Sequence, residues 1–190
     1  CIFKKGYTIR YLIFLLMPIL LLSSELESIF KNGSSVGNIT LFHYSIDKEQ
    51  DSQDAYATAV GGDLEYTTDS SKKIFASVGF HTSIPTLKRK NQTSTSLFNN
   101  DKNATSLTAI SESFLAYKTG RGVLKVGNFF LNTPLLNQSS SRIVPWSYQG
   151  VNYVVKDILK SSIQLSYINK IRSYVSHKYK KETFKDGSFD

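Results

Sequence analysis

Three carboxylates, Asp63, Glu65 and Glu112, are the side chains of this sequence best suited to acid–base chemistry. Converging across neighbouring strands, two of them could work as a glycoside-hydrolysing pair, one protonating the leaving group while the other attacks or activates water. Nothing beside them suggests a sugar platform, so they read as charge lining a wetted surface. His43, His81 and His177 are scattered without metal-ligand spacing and read as solvated histidines. The sequence contains no Gly-rich phosphate loop and no arrangement resembling a catalytic triad. It therefore predicts a protein that is not an enzyme and needs no cofactor or metal. Five N-x-S/T sequons begin at Asn32, Asn38, Asn91, Asn103 and Asn137. In an Asn/Ser/Thr-rich chain such matches arise by chance, and Asn38 falls inside a predicted strand, so they are set aside.

The elements that would hold these residues emerge once the N-terminus is removed. Lys4, Lys5 and Arg10 precede the apolar run YLIFLLMPILLL at 11–22, followed by Ser23 and Ser24. Twelve residues make a helix of about 18 Å, too short for a hydrocarbon core of about 30 Å. Residues 1–24 read as a secretory signal peptide, and 25–190 as the exported part. Its charge falls to 20 basic against 15 acidic residues, a net +5 compared with +8 for the whole chain. The basic character is thus partly a targeting feature, and nucleic acid is not an expected partner. The lone Cys1 excludes a disulfide-stapled domain. The chain reads as a portion of a longer protein.

After the signal, alternation with period two dominates. It predicts strands at about 35–46, 55–68, 73–84, 106–118, 123–130, 149–156 and 162–172. Brief polar turns, DSSK, TGRG and KDILKS, join strands two to three, four to five and six to seven. Longer stretches, 47–54, 85–105 and 131–148, join the others. Strict alternation of short and long connections is what an outer-membrane barrel requires, with tight turns at the periplasmic end and long loops outside. The fold class is accordingly all-β: an antiparallel up-and-down transmembrane β-barrel, incomplete, with about seven strands of a larger barrel.

The stretch DAYATAVGGDLEYTT, 54–68, fits this architecture. Its even positions carry Tyr56, Val60, Leu64 and Tyr66; its odd positions carry Ala55, Ala57, Ala59, Gly61, Asp63 and Glu65. Tyrosines at both ends of an apolar face suit the two membrane interfaces, and carboxylates on the opposite face suit a wet lumen. In the fourth strand, Leu107, Ala109, Leu115 and Tyr117 read as one face, opposite Glu112 and Lys118. In the seventh, Lys170 and Arg172 read as sharing the face of Gln164 and Ser166.

With DAYATAVGGDLEYTT, the stretches SESFLAYKTGRGVLKVGNFFLNTP and SSRIVPWSYQGVNY resemble the OprD-like outer-membrane porins of Gram-negative bacteria. The similarity runs from about Ile29 to Arg172. Its most specific part follows strand five, where the family writes Thr-Pro, then an Arg, a Pro and an aromatic-Gly. This chain supplies Thr133, Pro134, Arg142, Pro145, Tyr148 and Gly150. The resemblance implies that this loop folds into the lumen and narrows it, and that a ladder of Arg and Lys lines the opposite wall. Two positions depart from the pattern: Asn128 stands where the family often has Arg, and Ser141 where it commonly has Asp.

The expected function is a porin that passes small hydrophilic solutes or ions by diffusion. Width would be set by the loop at 131–149, and charge by Lys125, Arg142, Lys170 and Arg172 against Asp63, Glu65 and Glu112. Thr133, Pro134, Pro145 and Gly150 would frame the loop. The expected location is the Gram-negative outer membrane. Expected partners are its lipid and small hydrophilic or anionic solutes, with a homo-oligomer left open. The alternative is a secreted β-sandwich that acts as an adhesin or carbohydrate-binding module. The run HKYKKETFK at 177–185 reads as a solvated extracellular loop.

Overall fold

The structure, a computed structural model, describes residues 24–50, 54–99, 103–139, 141–158, 160–181, 184–185 and 188–189. The expected signal peptide at 1–24 lies outside them except for Ser24, the first residue of a helix over 24–31.

Seven strands follow: β1 Ser34–Ile46, β2 Ala55–Thr67, β3 Ile74–Lys90, β4 Leu107–Thr119, β5 Gly122–Phe129, β6 Ser147–Ile158 and β7 Ser161–Arg172. They form one antiparallel sheet in sequence order, with β1 and β7 at its edges. A sandwich needs two face-packed sheets; among the described residues the one other sheet is the pair of two-residue strands Phe184–Lys185 and Ser188–Phe189, too short to form a second layer, so the alternative architecture is ruled out. The tight turns all fall at one end of the sheet and the long connections at the other. At the turn end, Lys72 N–H donates to Asp69 O at 3.2 Å, and the Asp69 side chain accepts from Ser71 N–H at 2.9 Å and Ser71 Oγ at 2.6 Å. The Ser71 hydroxyl, then its N–H, hold the Asp69 carboxyl below its ordinary range. The 24–31 helix seals the same end: Asp69 N–H donates to Ile29 O and the Tyr66 hydroxyl to Phe30 O.

β3 runs six residues past its expected end and through Pro85. A proline lacks the ladder N–H, but here it stands past Ser83↔Leu107, where β4 pairing ends, and beside an irregular stretch of the β2 pairing.

One face of the sheet is apolar and exposed. It carries Ile39, Leu41, Tyr56, Val60, Leu64, Val78, Phe80, Leu115, Val126 and Leu165, with Ile39 91% exposed. Tyr56, Val60, Leu64 and Leu115 among them stand on the strand faces expected from sequence to be the apolar ones. Leu115, in the middle of β4 and 58% exposed, gives a direct check. In the full-length protein, Leu115→Arg should lower the unfolding free energy in lipid vesicles by about 2–4 kcal/mol, the cost of an arginine near the midplane. Unchanged denaturant unfolding would mean that this face does not meet lipid.

Two bulges correct the expected faces. In β4, Gly79 pairs with Glu112 and Phe80 with Ile110, leaving Ser111 unpaired. The extra residue inverts the alternation, so Leu107 and Ala109 point inward and are buried, while Ile110 is exposed. In β7, Gly150 pairs with Ile168 and Gln149 with Lys170, leaving Asn169 over. Lys170 therefore does not share the face of Gln164 and Ser166. It pairs instead with Gln149, which alternates with the outward Val151. Arg172 is fully buried.

Candidate functional site: a loop seated on the inner face

The inner face of β2 is made of small residues for a reason that period two does not reveal. Ala57 and Ala59 pair with Tyr44 and Phe42 of β1. On this shallow strip sit Leu97, Phe98 and Ala104 of the β3–β4 connection and Ile143 of the β5–β6 connection. A Cβ on Gly61 would lie 2.9 Å from Ile143 Cγ2. Larger side chains at 57, 59 or 61 would occupy the space that these loops fill.

The β5–β6 connection, 130–146, thus crosses the inside of the sheet. At its root, Phe129, Leu131 and Tyr148 bury against Phe114 and Ala116, with Leu136 and Trp146 against them. Further along, Val144 packs on Leu107 and Ala109, made inward by the β4 bulge. Thr133 closes a turn: its hydroxyl donates to Leu136 O at 3.0 Å and accepts from Leu136 N–H at 2.9 Å. Pro134, in that turn, is exposed. The Tyr148 hydroxyl donates to Asn137 O at 2.8 Å. Gly150 lets β6 and β7 approach, since a Cβ there would meet Tyr167 O at 1.9 Å.

Arg142 reaches the far side. Its Nε donates to Thr95 O at 3.1 Å, and its guanidinium lies 4.3 Å from the Tyr44 ring centroid and 5.8 Å from that of Tyr174. The sequence alone does not point to Tyr44, Tyr174 or Thr95 as site residues. The one signal for Tyr44 is its place on an even position of β1, opposite Ala57.

Nearer the turn end, charges gather from three strands. The Glu65 carboxylate accepts from Ser77 Oγ at 2.9 Å and lies 2.9 Å from Thr67 Oγ1. Glu112 has Glu65 and Lys125 as its charged neighbours and the backbone N–H of Phe130 beside it. Lys125 Nζ stands 4.2 Å from the Phe114 ring centroid. Asp63 accepts from Asn38 Nδ2 at 3.1 Å and pairs across the strands with His81. The His81 ring meets Phe130, the first residue of the loop, edge-on at 5.7 Å. Glu65, Glu112 and Lys125 are therefore brought together, with Asp63 adjacent, whereas the guanidinium groups of Arg142 and Arg172 are bonded to other partners. Among the described residues no group of His, Cys, Asp and Glu could hold a metal ion. No helix among them is long and apolar enough to cross a membrane, which says nothing of strands.

An apolar outer face and a long connection seated inside one up-and-down sheet are the geometry of a porin wall. The family described as outer membrane porin, OprD family, matches residues 85–188. The chain belongs to the OprD family of outer membrane porins. Membership places it in the outer membrane of a Gram-negative cell. The fold agrees with solved members. OccAB2 of Acinetobacter baumannii superposes with a TM-score of 0.70 at 21% identity, over 84% of this chain and 42% of that one. For OpdK of Pseudomonas aeruginosa the values are 0.67 and 11%, over 82% and 40%. For OpdK solved with vanillate they are 0.59 and 13%, over 82% and 41%. The chain thus spans about two fifths of the length of these structures. No curated protein matches it.

Proposed function

We propose that the complete protein is a water-filled channel through which small hydrophilic solutes and ions diffuse without bond chemistry. In this reading, residues 1–24 direct export and 25–190 form the N-terminal portion of the barrel. The observation that carries it is the packing of the 130–146 loop on the small-residue face of a sheet whose opposite face is apolar. A loop held there narrows the lumen, and the charges beside it act on whatever passes. Asp63 and Glu65 against Lys125 give this part of the wall an acidic balance. A small anionic solute, the class to which the vanillate bound by OpdK belongs, would be kept off this wall and toward the remainder of the barrel.

The test is reversal potential in a salt gradient. Glu65→Gln combined with Asp63→Asn in the full-length protein should move it toward anion preference, because two lumenal negative charges are removed while Lys125 stays. An unmoved reversal potential would place these carboxylates outside the ion path.

A further inference from the structure

β5 leaves the wall at Phe129, and its pairing with β4 ends at Ser113↔Asn128, although β4 continues to Leu107. The backbone of β4 beyond that point needs other partners, because a bare peptide edge inside a membrane wall is costly. Residues from beyond β7 supply them. Ile171 and Lys180 exchange two backbone hydrogen bonds of 2.8 and 2.9 Å, folding the segment back on the strand. The Tyr179 hydroxyl lies 3.3 Å from the carbonyl oxygens of Ile110 and Ser111 and 2.7 Å from Ser147 Oγ, which itself donates to Ser111 O. This segment, read from sequence as a solvated loop, is part of the wall at Tyr179.

Arg172 is the centre of this plug. One terminal nitrogen donates to Ser111 Oγ at 3.0 Å and to Pro145 O at 2.9 Å; the other donates to Ser173 O and Ser176 O, both at 3.2 Å. The guanidinium therefore ties the β4 bulge, the last turn of the inward loop and the segment after β7 to one another. It is fully buried; the four oxygens it donates to are neutral, and the Tyr179 ring centroid lies 5.9 Å from it. A filter cation would need contact with passing ions, which this side chain lacks. A planar fork that donates in two directions suits a clamp, and a lysine cannot reproduce it.

We infer that Arg172 is the positioning residue that fixes the base of the inward loop to the wall, setting the channel's width and not its charge preference. The inference rests on the channel reading above. Its test is single-channel recording on the full-length protein, with Arg172→Gln and Arg172→Lys. Both should raise open-channel conductance by about twofold or more and increase current noise, because width at the constriction governs flow. Both should leave the reversal potential where it was. If Lys behaves as wild type while Gln shifts the reversal potential, the residue is a filter charge and the clamp is wrong. Unchanged conductance and noise in both variants would also overturn it. Heat-modifiable mobility reports whether each variant has folded. Should Gln at 172 prevent folding, Ser111→Ala and Tyr179→Phe remove partners and keep the guanidinium. They should move conductance and noise in the same direction, and no change in either would refute the clamp. Wild-type pores with unaltered variants contradict this inference alone, whereas a folded wild type that opens no pore contradicts the channel reading too.

Discussion

Replacing residues 132–144 with a short Gly/Ser link should raise the conductance of the complete channel severalfold and weaken its discrimination among solutes. The loop is held over its length by separate contacts: Leu136 beside the Phe129 cluster, Val144 on Leu107 and Ala109, and Ile143 on Ala57 and Ala59. It therefore fills the lumen as a fixed body. β5 and β6 already pair at Phe129↔Tyr148, so a short link can join them without disturbing the ladder. With the loop removed, the inner face of β2 would be left with alanines and Gly61, and the passage would widen by the thickness of a packed chain. Planar-bilayer recording checks this. Equal conductance in the loop-deleted and wild-type proteins would mean that the constriction lies elsewhere.

Gly127→Val should abolish folding. Gly127 lies in the middle of β5 at φ +132, a region that a β-branched residue enters only at a cost of roughly 1–3 kcal/mol. The larger penalty is steric. A Cβ at 127 would lie 2.3 Å from Ser113 O and 2.8 Å from Phe114 Cα, both backbone atoms of the paired strand. Relief would require separating β4 from β5, and with them the seat of Phe129. Gly120, in the tight turn between the same strands, has nothing within 4 Å of such a Cβ, so Gly120→Ala should fold normally. Heat-modifiable mobility of the refolded full-length protein separates the two. A fully folded Gly127→Val would show that the β4–β5 approach is looser than described.

The strands and their connections were legible because period-two alternation and turn chemistry are local. Seven strands were expected, and seven form the main sheet, in the expected order. β3 ran on through Pro85 because β4 pairing has already ended at Ser83 and only β2 stays beside it, a fact about its neighbours and not about Pro85. The faces failed at two residues. Ser111 and Asn169 are surplus to their pairings, and a surplus residue is defined only by its partner strand. That is why Leu107 and Ala109 were assigned outward, and why Lys170 and Arg172 were assigned to the hydrophilic set. That Glu65, Glu112 and Lys125 share the inner face was readable from parity; that they meet depends on the register of β2 to β5. The purpose of Ala55, Ala57 and Ala59 was not readable, because it depends on Phe98 and Ile143, which arrive from loops roughly forty and ninety positions downstream. Arginine in a pore family suggests a charge for the solute; here Arg142 and Arg172 are engaged by aromatic rings and carbonyl oxygens.

The complete protein should open a permanent aqueous path across a membrane. Single-channel current recording of the full-length protein in a planar bilayer tests it most directly. The prediction is discrete current steps, linear in voltage near zero, from protein whose folded state is verified by heat-modifiable mobility. Folded protein that inserts into the bilayer yet gives no steps would contradict it.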